Sequence, residues 1–160
     1  MTQKSSLKPP LILVALMVAG SLMAISQARA EDVCIQEKEA VIEVLASHLN
    51  AVKAGDMDGL MAVFSPTARM IGAGLTMSGD DIRQSFETAL AEADLMPENF
   101  ADRVEVHEDW ALIEGEYREM IRPKSGSSSS LNQGRYLLLL ACDGEGAWKF
   151  HRVMWWQDLI

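Results

Sequence analysis

The chain has 160 residues, 14 basic and 23 acidic side chains, a formal net charge of -9 and 49% hydrophobic residues. That length suits one domain with one core, not two. An acidic chain without a basic stripe excludes nucleic acid and an anionic membrane surface as partners.

The first thirty residues carry Lys4, Lys8 and Arg29, no acid, an apolar run from Leu11 to Ile25, and the ending Ala28-Arg29-Ala30. A basic start, an apolar middle and an A-x-A ending read as a secretory signal cleaved after Ala30. The expected mature protein is then one domain, Glu31 to Ile160, periplasmic or secreted. Its net charge is -12, because the signal removes three basic residues and no acid. An uncleaved anchor is the alternative, but the run is about fifteen residues and is broken at Gly20 and Ser21, short of the roughly 20 that span a bilayer. A lipoprotein site is disfavoured by Glu31 and Asp32 just before Cys34. No later stretch is apolar enough to span, so no membrane contact is expected after cleavage.

Apolar residues Ile35, Val41, Val44, Leu45, Leu49 and Val52 predict a helix over 33–53, ended by Gly55 in the left-handed conformation. Asp56 is placed to cap a short second helix to Phe64, closed by Pro66. Residues 67–77 read as a strand interrupted or turned at Gly72 and Gly74. Ser78-Gly79-Asp80-Asp81 opens a third helix, with capping side chains and negative charge at its positive end. Its stripe is Ile82, Phe86, Ala89, Leu90 and Ala93, and Pro97 stops it. The period then changes to two, predicting strands over 100–107, 111–122, 135–142 and 148–157. Tight turns at Glu108-Asp109-Trp110 and Asp143-Gly144-Glu145-Gly146 join neighbours, and 123–133 is a polar serine-rich loop. Helices first and an antiparallel meander last make an α+β fold, a curved antiparallel sheet wrapped around N-terminal helices.

Two cysteines remain in the mature chain, Cys34 and Cys142. An exported protein can pair them, closing a loop of about 100 residues at a gain of about 4 to 5 kcal/mol on the chain-entropy model. Two unpaired buried thiols are the alternative. The strand Tyr136-Leu137-Leu138-Leu139-Leu140 is apolar on both faces, so its second side needs cover. A homodimer through the sheet face is the simpler explanation, and the chain's own termini are the other.

Several segments resemble the nuclear transport factor 2-like superfamily, in the branch of SnoaL-like proteins and ketosteroid isomerases. They are His48-Leu49-Asn50-Ala51-Val52-Lys53-Ala54-Gly55-Asp56, followed by Leu60, Phe64 and Ala68; Gly79 with Ile82 and Phe86; Gly134-Arg135-Tyr136; and Trp148-Lys149-Phe150 with Trp155-Trp156. Their order and spacing cover nearly all of 37–158. The resemblance implies a cone-shaped, cystatin-like α+β fold with an apolar pocket at its open end and pairing through the convex sheet. It does not transfer a function, since one fold hosts enzymes, binders and assembly modules.

His48 lies about 20° from Val41 and about 40° from Val44 and Val52, in the middle of the buried stripe. By resemblance its position, seven before Gly55, matches that of an oxyanion-stabilising tyrosine in the isomerases. A histidine there can donate to a ligand carbonyl or act as a base near neutral pH; a neutral buried histidine bonded to backbone or water is the alternative. The isomerase base would fall sixteen residues after Asp56, at Gly72, and Met70, Ile71 and Ala73 are no substitutes. Steroid isomerisation and the related cyclase chemistry therefore lack their base. Tyr117 and Glu119 share a strand face with Ala111, Ile113 and Gly115, the face expected to look into the cone. Glu119 reads as a carboxyl of raised pKa or a rim charge, with Arg135 as its cross-strand partner in a structural role. On the last strand, simple alternation puts Trp148, Phe150, Met154 and Trp156 on one face and His151, Val153 and Trp155 on the other.

His48, His107 and His151 lie in different elements without metal-ligand spacing. Asp56-Met57-Asp58-Gly59 starts like a calcium loop but has Thr67 where the closing acid belongs. Gly72-Ala73-Gly74 is no phosphate loop, and no Gly-x-Ser-x-Gly elbow is present. No metal or cofactor is expected. The leading expectation is a binder of a small apolar molecule, with His48 and Tyr117 as polar contacts and Phe64, Ile71 and one of Trp155 or Trp156 as walls. The alternatives are a lyase, isomerase or hydrolase using His48 and Glu119 as an acid–base pair, and a dimerisation module without catalysis.

Overall fold

The computed structural model describes residues 34–158, so the expected signal segment and its cleavage after Ala30 lie outside the described residues. Three helices come early: α1 (Lys38–Ala54), α2 (Met57–Ala62) and α3 (Asp80–Glu92). Six strands follow or intervene: β1 (Phe64–Gly72), β2 (Leu75–Ser78), β3 (Ala93–Val106), β4 (Trp110–Pro123), β5 (Ser130–Cys142) and β6 (Trp148–Gln157). They form one curved, open sheet in the order β2-β1-β6-β5-β4-β3. The meander β3 to β6 is antiparallel throughout, as expected, but β1 joins β6 in parallel, so the sheet is mixed.

The first helix starts later than its apolar stripe suggests, because the segment before it is strapped down. Cys34 and Cys142 form a disulfide with Cα atoms 5.8 Å apart. The Trp148 indole N–H donates to the Ile35 carbonyl at 2.9 Å, and the Gln36 amide donates to the carbonyls of Cys34 and Glu108, each at 3.0 Å. These bonds hold 34–37 outside the helix, and Ile35 is left 62% exposed. Val41, Leu45 and Val52 face the core. Gly55, at φ 68°, ends the helix and returns its N–H to Ala51 and Val52, in the conformation that glycine adopts without steric cost.

Asp56 caps α2 by accepting from the Gly59 N–H at 3.0 Å. Phe64 is not in this helix, contrary to expectation. The Phe150 N–H donates to Val63 at 2.8 Å, which draws the chain into the sheet at that point. Pro66 sits in the register break of β1 against β6, where a missing N–H disrupts little of the ladder. The predicted interruption after Gly72 is a tight turn, with Ala73 and Gly74 at φ 51° and 76°.

No side chain caps α3, although Asp80 and Asp81 do occupy its positive end. Pro97 does not stop this helix: it ends at Glu92 and runs directly into β3 at Ala93. Pro97 lies inside β3, at the edge of the sheet, where one side of the strand has no ladder to break. The serine-rich loop is also shorter than expected, since Ser130 already pairs with Ile121 and Asn132 with Glu119.

Simple alternation fails on β6. Leu139 pairs with Arg152 and Leu140 with Phe150, leaving His151 as a bulged residue between them. One extra residue reverses the side-chain parity beyond it. Trp148 and Phe150 therefore share the inner face with Val153 and Trp155, whose partners Leu138 and Tyr136 are buried. Met154 and Trp156, grouped with Phe150 by alternation, point outward with their partners Leu137 and Arg135. The core lies between the concave face and the helices, and includes Val41, Leu60, Ile82, Ile113, Leu140 and Phe150. Arg135 pairs on the outer face with Asp102 at 3.1 Å and Glu116 at 3.7 Å, so the expected pairing with Glu119 is replaced by these two.

Candidate functional site

A cavity of about 280 Å³ opens between α1, α3 and the concave face of the sheet. Most of its walls are apolar. Leu45, Leu49 and Val52 come from α1, Phe86 and Ala89 from α3, and Met70, Leu138, Val153 and Trp155 from the strands. A cavity of about 150 Å³ holds benzene, so this volume suits a molecule of about two fused rings.

His48 is one of its few polar groups. Its ring meets Phe64, Phe86 and Phe150 edge-on, with centroid separations of 5.8, 5.9 and 5.5 Å. Its Nδ1 is buried and has no hydrogen-bond partner. Burial removes water from the imidazolium and lowers the pKa to about 4, so the ring is neutral at physiological pH. A neutral imidazole carries one donor and one acceptor, and the unpartnered nitrogen costs free energy unless something bonds to it.

A second polar group lies toward the β4–β5 side. Tyr117 donates to Asn132 Oδ1 at 3.4 Å, and Gln157 Nε2 donates to the same oxygen at 2.7 Å. Among the described residues Glu119 is the one carboxyl lining the cavity. Its partial burial pushes the pKa up, and a hydrogen bond with Asn132 partly opposes that. Burial also raises the Tyr117 phenol, aided by the charges of Glu119 and Asp158. Tyr136, only 3% exposed, has a buried hydroxyl with no partner. Its burial, then the Asp102 charge, raise the pKa to about 12. Asn99 is near enough to affect that phenol without completing a bond to it. Each titratable group lining the cavity is thus shifted toward its neutral form, and among the described residues no lysine or arginine lines it.

The residues expected to form the pocket separate into two groups. His48, Tyr117, Glu119 and Trp155 line the same cavity. Phe64 packs behind His48 in the core and does not line it. Ile71 is 38% exposed and Trp156 47% exposed, and both fall outside the lining. Asn99, Asn132 and Tyr136 were not expected there. Asn99 precedes the predicted start of its strand, Asn132 lay in the predicted serine loop, and Tyr136 reads as one more apolar strand residue. Had the hydroxyl of Tyr136 been weighed against its apolar neighbours, it would have flagged a buried polar group.

Gly72 pairs with Trp155 on the same face of β1 as Met70 and lies outside the cavity lining. A Cβ built there would lie 2.3 Å from the Trp155 ring, so the space a side chain would occupy is taken by the indole. The other histidines are elsewhere: His107 stacks on Trp110 at 3.9 Å, and His151 contacts Ser65 Oγ at 3.5 Å. Among the described residues no group of three or more His, Cys, Asp or Glu is placed to hold a metal ion. None of their helices is long and apolar enough to cross a membrane.

No protein-family model matches the chain, and no curated protein matches it. Solved structures do. A nuclear transport factor 2-like superfamily protein from Salmonella enterica serovar Typhimurium aligns with a TM-score of 0.68 at 15% identity, covering 77% of this chain and 92% of the other. A ketosteroid isomerase-like protein from Erwinia carotovora aligns with a TM-score of 0.66 at 17% identity, over 78% and 98% of the two chains. A hexachlorocyclohexane dehydrochlorinase from Novosphingobium barchaimii gives 0.66 at 17% identity, over 76% and 86%. The chain has the nuclear transport factor 2-like fold, as its sequence resemblance implied. Proteins of this fold include isomerase-like and dehydrochlorinase members, so the fold accommodates both binding and enzymatic use.

Proposed function

We propose that this is an exported protein that binds a small, uncharged, mostly apolar molecule in its cone. The observation that carries the reading is an open apolar cavity containing a neutral imidazole with an unpartnered nitrogen. A ligand hydroxyl or carbonyl satisfies His48, and the apolar remainder is buried against Leu49, Phe86 and Val153. An anionic ligand has no cationic side chain to meet among the described residues, and would lose its hydration without compensation. Export is supported by the N-terminal pattern and by the Cys34–Cys142 disulfide, which suits an oxidising compartment. A homodimer through the outer face is supported by half-buried Leu137 and Leu139 and by exposed Phe100 and Trp156.

Calorimetric titration with naphthol and with naphthoate tests the binding reading. Naphthol should bind and naphthoate should not, and His48→Leu should weaken naphthol about tenfold, the effect of one lost hydrogen bond. Equal affinity for both compounds, or none for either, refutes it.

A second reading is an acid–base enzyme, favoured by one observation: His48 and Glu119 line the same cavity with pKa values pushed in opposite directions. A neutral imidazole can accept a proton, and a carboxyl whose pKa is pushed up keeps its proton more readily and can supply one. Deuterium exchange at the α-carbon of a bound cyclic ketone such as tetralone, lost in both His48→Leu and Glu119→Gln, would favour catalysis. Exchange at the solution rate would count against it.

A further inference from the structure

We propose that Trp155, seated over Gly72, sets the size limit of the ligand, closing the β1 end of the cavity so that it admits two fused rings and rejects three. The inference deepens the binding reading above and rests on it. Trp155 stands between Gly72 of β1 and Tyr136 of β5 in the sheet register, on the inner face. Met70 and Val153, both in the cavity wall, flank it on the same face. It faces inward because the bulge at His151 reverses the parity of β6; without that extra residue Trp156 would stand there instead.

Gly72 is what permits this placement. Its backbone does not require glycine, since its φ is not positive. The requirement is steric, because a Cβ would come within 2.3 Å of two indole ring carbons and 2.7 Å of the Trp155 carbonyl oxygen. A side chain at residue 72 and the indole at residue 155 therefore exclude one another. An aromatic ring laid over a strand glycine fills the space that the missing side chain leaves. Here the same ring also ends the cavity. An indole is larger than the third ring of a tricyclic ligand, so removing it opens enough length for one.

Binding of naphthol and phenanthrol to the wild-type protein, Trp155→Ala, Trp155→Phe and Gly72→Ala tests the proposal, with circular dichroism confirming that each variant is folded. Wild type should bind naphthol at least tenfold more tightly than phenanthrol. Trp155→Ala should gain at least tenfold for phenanthrol, and the milder Trp155→Phe should gain less. Gly72→Ala should push the indole into the cavity and weaken naphthol at least tenfold. Naphthol binding with unchanged phenanthrol affinity in folded Trp155 variants overturns this inference alone. Absence of naphthol binding in every form overturns it together with the binding reading.

Discussion

Acidification should destabilise the protein through His48 in a defined window. The imidazole titrates near 6.5 in the unfolded chain and about 4 in the fold, because burial disfavours the charged ring. Between those values the unfolded state binds a proton that the native state refuses, so stability rises with pH across the window and is flat on either side of it. One proton corresponds to a slope of about 1.4 kcal/mol per pH unit, and the whole interval of about 2.5 units to at most about 3.5 kcal/mol. This is an upper bound, because part of the ring surface opens onto the cavity and water there screens the charge. Glu119 acts in the opposite sense: its raised pKa favours the fold as pH falls toward its unfolded value. The two are separated by measuring urea unfolding of wild type and His48→Leu from pH 7.5 to pH 4. Glu119 is common to both proteins, so the difference between their curves isolates His48. Wild type should lose about 1 to 3 kcal/mol more than the variant over that range. Parallel curves would refute the claim that a neutral, desolvated His48 is part of the fold.

Other consequences follow from packing and connectivity. Phe150, 1% exposed and in edge contact with His48 and Phe64, should cost about 3 to 5 kcal/mol when replaced by alanine, measured by urea unfolding. Reduction of the Cys34–Cys142 bond, 108 residues apart in sequence, should remove up to about 4 to 5 kcal/mol and lower the melting temperature, while Cys34→Ser should be insensitive to reductant. Gly115→Ala should destabilise by at least about 1 to 3 kcal/mol, because its Cβ would meet the Phe100 carbonyl oxygen of the paired strand at 1.9 Å. Arg135→Ala should change stability by less than about 1 kcal/mol, since its ion pairs with Asp102 and Glu116 are exposed.

The fold was largely legible because its signals are local and regular. The stripe through Val41, Leu45 and Val52, the left-handed Gly55, the Asp56 cap and the period-two runs each depend on near neighbours in sequence. The misread boundaries depend on distant partners. The helix start was shifted by a disulfide and an indole hydrogen bond from the far end of the chain, and Phe64 was drawn into the sheet by Phe150. Pro97 reads as a helix stop only until the strand containing it is known to be an edge. The cavity was partly legible for the same reasons: His48 and Tyr117 follow from helix phase and strand parity. The choice between Trp155 and Trp156 turned on a single bulged residue, which alternation cannot reveal. Asn99 and Asn132 carried no chemical signal that separated them from loop residues.

Native mass spectrometry of the protein, isolated from its own compartment without refolding, tests the central claim most directly. The protein should carry an adduct of roughly 150 Da, about eleven heavy atoms, because about 150 Å³ holds the six of benzene and this cavity has about 280 Å³. That adduct should be lost in His48→Leu. A bare protein that also takes up no naphthol would contradict a ligand-binding cone.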